Sequence, residues 1–105
     1  MSSDILVVYV SIPRNEASRF ARELVDRRLA ACVNIIPRME SFYRWDGKVL
    51  EDSEALLLVK TTSSRMADLE RYVVENHPYE MPELIGIPVT AGFDEYLNWV
   101  KRETE

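Results

Sequence analysis

The sequence is sparing in several residue types: it has one cysteine, one histidine, three glycines, and no apolar run longer than the six residues Ile5 to Val10. A lone Cys32 cannot close an internal disulfide and rules out any CxxC metal or redox motif. This fits a reducing compartment, and the cytoplasm is the expected address. Apolar runs of five or six residues, such as Ile5 to Val10 and Ala55 to Val59, fall far short of the roughly 20 that span a bilayer, so no membrane partner is expected. The first residues, Met1 to Asp4, are polar and lead directly into a strand-like segment, without the basic region and apolar stretch of a signal peptide. Positive charge is in the minority, with 13 basic against 18 acidic residues and a net charge of −5. That field repels phosphate backbones and removes nucleic acid from the expected partners. No GxGxxG, Walker loop, HExxH or GxSxG string occurs. The segment Ser11-Ile12-Pro13-Arg14-Asn15 also lacks the glycines of an acylphosphatase phosphate loop. No enzyme is expected.

What the chain does have is periodicity. With 105 residues, 47% of them hydrophobic, it can build one core, and residues 1–105 read as a single domain. Ile5 to Val10 suits a strand buried on both faces and central in its sheet. Beyond Pro13 and Asn15, apolar residues at Ala17, Phe20, Ala21, Leu24 and Val25 give the stripe of an amphipathic helix running to about Arg28. Arg19 with Glu23 and Glu23 with Arg27 are expected to pair on its outer face. Ala31 to Trp45 and Val49 to Thr61 are strand-like and joined by Asp46-Gly47, a strong hairpin signal. Thr62 or Ser63 is the expected cap of a second helix, with Met66, Leu69 and Val73 inward, that stops before His77 because Pro78 follows. Glu83 to Val89 reads as strand four, and Phe93, Tyr96, Leu97 and Val100 as the inner stripe of a third helix.

The order βαββαβ plus a C-terminal helix is the split βαβ, ferredoxin-like α+β arrangement, with both main helices on one sheet face. The other face then lacks a cover, and other subunits are the usual way to supply one. If Ala31 to Trp45 is one strand, its 15 residues reach roughly 50 Å, whereas a compact domain of this length is about 33 Å across. The β2–β3 hairpin must therefore project, with Pro37 marking an edge or bulge. Phe42, Tyr43 and Trp45 on that arm would stand in water in a monomer, which points to a partner subunit. The alternative is a strand broken at Pro37, with the aromatics folded back on the sheet.

Four uncommon strings occur in order at compatible spacings: Leu29-Ala30-Ala31-Cys32-Val33-Asn34-Ile35-Ile36-Pro37, Ser41-Phe42-Tyr43-Arg44-Trp45-Asp46-Gly47-Lys48, Lys60-Thr61-Thr62, and His77-Pro78-Tyr79-Glu80-Met81-Pro82-Glu83-Leu84. With Tyr96-Leu97-Asn98-Trp99 near the end, they resemble the CutA family of divalent-cation tolerance proteins along the whole chain. The resemblance implies a homotrimer locked by its long hairpins, similar in assembly to PII-type signalling trimers. It also implies a role in metal tolerance, with copper binding in some members.

Two functional expectations follow. One is a trimer that binds Cu(II) or a similar divalent ion weakly, through His77 with Glu80, and with Cys32 as a possible soft ligand. The other is a PII-like sensor or scaffold whose inter-subunit clefts, lined by Trp45, Lys60, Tyr79 and Glu80, take a small molecule or a protein partner. Against the first stand plainer roles: His77 as a helix terminator with Tyr79 and Glu80 fixing the next turn, and Cys32 as a small core residue. In a split βαβ unit Cys32 and His77 also fall at opposite ends of the sheet, so a joint site needs two subunits. Lys60 could hold an anion at the start of helix two, or be a solvated strand end. Trp45 and Trp99 are large anchors for a cleft, an arm or a docked helix.

Overall fold

In the computed structural model, which describes residues 4–105, the apolar run at the start forms β1, Ile5–Ile12. Its alternate residues Val8, Val10 and Ile12 are fully buried, while Val7 and Tyr9 between them are only half-buried. The expectation of burial on both faces is therefore corrected: one face meets helices and the other lies partly open. A short 3₁₀ turn, Arg14–Glu16, leads into α1, Ala17–Asp26. Ala17, Phe20, Ala21 and Leu24 pack inward as the stripe requires, but Val25 falls at its rim and is exposed. Glu23 pairs with Arg27 as expected (3.1 Å), whereas Arg19 pairs with Glu16 rather than Glu23. The helix stops two residues before Arg28, which takes a left-handed φ of 58° and lets Leu29 and Ala30 return their amides to the Leu24 carbonyl.

β2, Cys32–Trp45, and β3, Lys48–Thr62, form the long hairpin. Asp46 and Gly47 turn it with φ of 52° and 76°, the positive pair that a type I′ turn demands. The ladder slips between Ile36 and Met39, so that Pro37 and Arg38 oppose the single residue Ala55. That is a bulge at the expected proline, and beyond it the strands continue as an arm rather than folding back. The molecule measures 44 × 27 × 23 Å, with a radius of gyration of 14.2 Å, above the ~13 Å of a compact domain of this size.

A second 3₁₀ turn, Ser63–Arg65, precedes α2, Met66–Asn76. No side chain caps α2, so the expected Thr62 or Ser63 cap is absent. The inserted turn displaces both residues from the capping position, and the Thr62 hydroxyl lies 3.1 Å from that of Ser64 instead. α2 does end before His77, as Pro78 dictates. β4 covers only Ile85–Pro88, shorter than the expected Glu83 to Val89, although the Val89 amide still donates to the Ile5 carbonyl (3.0 Å). α3, Asp94–Glu103, closes the described chain. Its inner contacts come from Val100, Leu97 and Trp99 against Ile5 and Ala31. Phe93 precedes the helix and stands 69% exposed instead of joining the stripe.

The four strands lie in the order β2-β3-β1-β4 with every neighbour antiparallel, as a ferredoxin-like α+β sheet requires. α1 and α2 cover one face, where Val8, Val10, Ile12, Leu57 and Val59 meet Phe20, Leu24, Leu69 and Val73. α3 covers only one end of the other.

Candidate functional site

His77 sits where α2 ends and is 7% exposed. Its Nε2 donates to the Ser11 carbonyl (2.6 Å) at the end of β1, and its Nδ1 accepts the Tyr79 amide proton (3.0 Å). This pairing specifies the neutral imidazole with its proton on Nε2. The ring also lies against Phe20 and Tyr79, with centroids 5.9 and 4.8 Å away. His77 thus ties β1, α1 and the segment after α2 together. It does so through the proline-bounded turn that the His-Pro-Tyr-Glu string encodes.

Tyr79, oriented by that contact, donates its hydroxyl to Glu54 Oε2 (2.7 Å). Glu54 is 6% exposed although it lies at the base of the arm. Burial, and next the hydrogen bond to Glu54, push the Tyr79 phenol well above the ordinary tyrosine range. Tyr43 on β2 donates its hydroxyl to Asp52, and this bond raises the Tyr43 phenol too. Two phenol–carboxylate pairs therefore follow one another along the arm, Tyr79 with Glu54 at its root and Tyr43 with Asp52 farther out. Sequence reading missed Glu54 and Asp52. The available signal was an acidic residue continuing the alternating row Leu58, Leu56 of β3.

Cys32 is half-buried and pairs in register with Lys60, near the end of the sheet opposite Ser11 and His77. Burial first, and next the neighbouring Cys32 thiol, raise the Tyr96 phenol above the ordinary tyrosine range. Glu80 is exposed. One protomer therefore does not bring His77, Cys32 and Glu80 together, and no cluster of three or more metal-ligating side chains occurs among the described residues. Both imidazole nitrogens are already committed to the fold. The donor set of one protomer does not fit a resident Cu(II) centre.

The residues expected in a cleft are likewise spread out. Trp45 pairs with Lys48 at the arm's tip, Tyr79 lies at its root, and Lys60 is near the far end of β3. Alternation along β3 puts Lys60 on the face opposite buried Thr61, which turns it away from α1 and α2 and from any anion at the start of α2. Among the described residues, no helix is long and apolar enough to cross a membrane.

Residues 6–103 match the family described as CutA1 divalent ion tolerance protein. The chain belongs to the CutA1 family. The chloroplastic CutA protein of Arabidopsis thaliana is 49% identical over 94% of this chain, which spans 55% of that relative's length. The divalent cation tolerance protein Cut A1 of Thermus thermophilus superposes with a TM-score of 0.92 at 46% identity, covering 96% of this chain and 99% of that one. A structure described as the PII-like protein CutA of Nostoc in apo form superposes at 0.90 with 34% identity, covering 95% and 97%. Within this CutA1 chain the His-Pro-Tyr-Glu string carries the hydrogen-bond chain from Ser11 to Glu54.

Proposed function

We propose that this chain acts in divalent-cation tolerance as a cytoplasmic homotrimer with a binding rather than a catalytic role. The relationship to the CutA1 family over residues 6–103 carries the functional part of this reading. The trimer is supported by the arm, where Phe42 and Val49 are each 65% exposed and Trp45 is 42% exposed, and by the sheet face left open beside it. Cu(II) or similar ions bind weakly in this reading, without a pocket prepared inside one subunit. Calorimetric Cu(II) titration of the wild type, His77→Ala and Cys32→Ser tests that point. The expected result is weak binding of equal affinity in all three. Loss of binding in His77→Ala would mean that the ring exchanges the Tyr79 amide for metal, and that the committed imidazole has been misread.

A second reading, a PII-like sensor or scaffold, is favoured by the likeness to the Nostoc protein and by the Tyr79–Glu54 pair held ready at the root of the arm. A thermal-shift screen of divalent metals against nucleotides and small anions separates the two, because a ligand selective for the folded state raises the midpoint. Stabilisation by an organic anion with none by metals would decide for the sensor.

A further inference from the structure

The open sheet face has opposite charge at its two ends. Along β3, Leu56, Leu58 and Lys60 alternate with the buried row Ala55, Leu57, Val59 and Thr61 and stand half-buried on the face that α1 and α2 leave uncovered, and Glu54 ends their row, buried where Tyr79 holds its carboxylate. Leu56, Leu58 and the paired Ile36 make the middle of this face apolar. Lys60 is half-buried at one end, and neither it nor Glu54 forms an ion pair among the described residues. Six residues of extended strand separate them by roughly 20 Å, so they cannot meet within one chain. The half-buried Lys60 ammonium loses hydration when the face is covered, and the Glu54 carboxylate is already removed from water, so each is stabilised by a counter-charge.

We propose that the counter-charge comes from a second copy of this chain: Lys60 of one subunit docks on Glu54 of the next, with Asp52 reinforcing the negative end. This deepens the trimer reading and rests on it. Glu54 is prepared for the role, because Tyr79 fixes one of its oxygens while the whole His77–Tyr79 turn is anchored to β1. The pairing is head-to-tail, so each subunit gives a lysine to one neighbour and a carboxylate to the other. A closed ring can satisfy every copy in that way.

A double-mutant cycle on assembly tests the pairing. Dissociation on dilution is followed by light scattering for the wild type, Lys60→Met, Glu54→Gln and the double variant, with circular dichroism as a check on folding. Glu54→Gln retains an acceptor for the Tyr79 hydroxyl, and Lys60→Met keeps the length and bulk of the stem. Each single variant leaves one charge buried and unpaired, so its midpoint should move to a concentration on the order of tenfold higher or more. The double variant should lie closer to wild type than either single one. Effects that simply add, or a silent Glu54→Gln, would overturn the pairing even if the protein is a trimer. So would dissociation of the wild type by a chelator, since a metal and not Lys60 would then fill the acidic end. A wild type that is monomeric throughout would instead bring down the trimer reading itself.

Discussion

Among single residues, Tyr79 has the most to hold. Its hydroxyl is the donor that satisfies the buried Glu54, and removing the donor leaves a carboxylate poorly hydrated and poorly paired. Tyr79→Phe should cost about 1–3 kcal/mol in urea unfolding at fixed chain concentration. An unchanged midpoint would mean that Glu54 finds water instead. The pH dependence follows from the same bond. The Tyr79 phenol is raised in the folded state, first by burial and then by Glu54. Its contribution to stability is therefore complete below the unfolded value of about 10 and is lost as pH rises beyond it. Wild type should lose stability more steeply above about pH 10 than Tyr79→Phe does, and parallel curves would contradict this. The sequence revealed that the His-Pro-Tyr-Glu turn mattered and that His77 ended a helix. It did not reveal that both imidazole nitrogens are used internally, because the partners are a carbonyl 66 positions away and an amide whose direction depends on the turn. A neutral histidine offered to a metal and one locked into a turn look the same as letters.

At the level of elements, local chemistry that is complete within a few residues was legible. Asp46-Gly47 specified its turn, and Pro37 marked the bulge. No atom lies within 4 Å of a Cβ built on Gly47, so Gly47→Ala should cost only the strain of a left-handed alanine, about 1–2 kcal/mol in thermal or urea unfolding. A larger loss would show that the tip makes contacts beyond its own backbone. Elements that answer to tertiary context were less legible. A 3₁₀ turn took the place of the expected cap on α2, and Trp99 rather than Phe93 became an inner contact of α3. Trp99 docks α3 within the subunit, with Tyr96 5.5 Å away ring to ring, whereas Tyr43 and Trp45 project on the arm. Tyr43→Ala combined with Trp45→Ala should therefore weaken assembly more than Trp99→Ala does, since aromatic anchors at an interface centre can each cost about 2 kcal/mol or more. Dissociation of Trp99→Ala on dilution, with the arm variant intact, would place the interface elsewhere.

For the whole molecule, the central claim is that the fold is finished between subunits. One sheet face is packed beneath α1 and α2. The other, together with the arm, exposes Ile36, Ile85, Ile87, Trp45 and Leu50. The order of elements predicted the uncovered face, and strand length predicted the projection, because both follow from backbone geometry that one chain carries. Neither could specify which residues meet across subunits, since that depends on a second copy. Size-exclusion chromatography coupled to light scattering at micromolar concentration tests the claim most directly. The account predicts a mass three times that of the 12.2 kDa chain, and a single species of 12.2 kDa would contradict it.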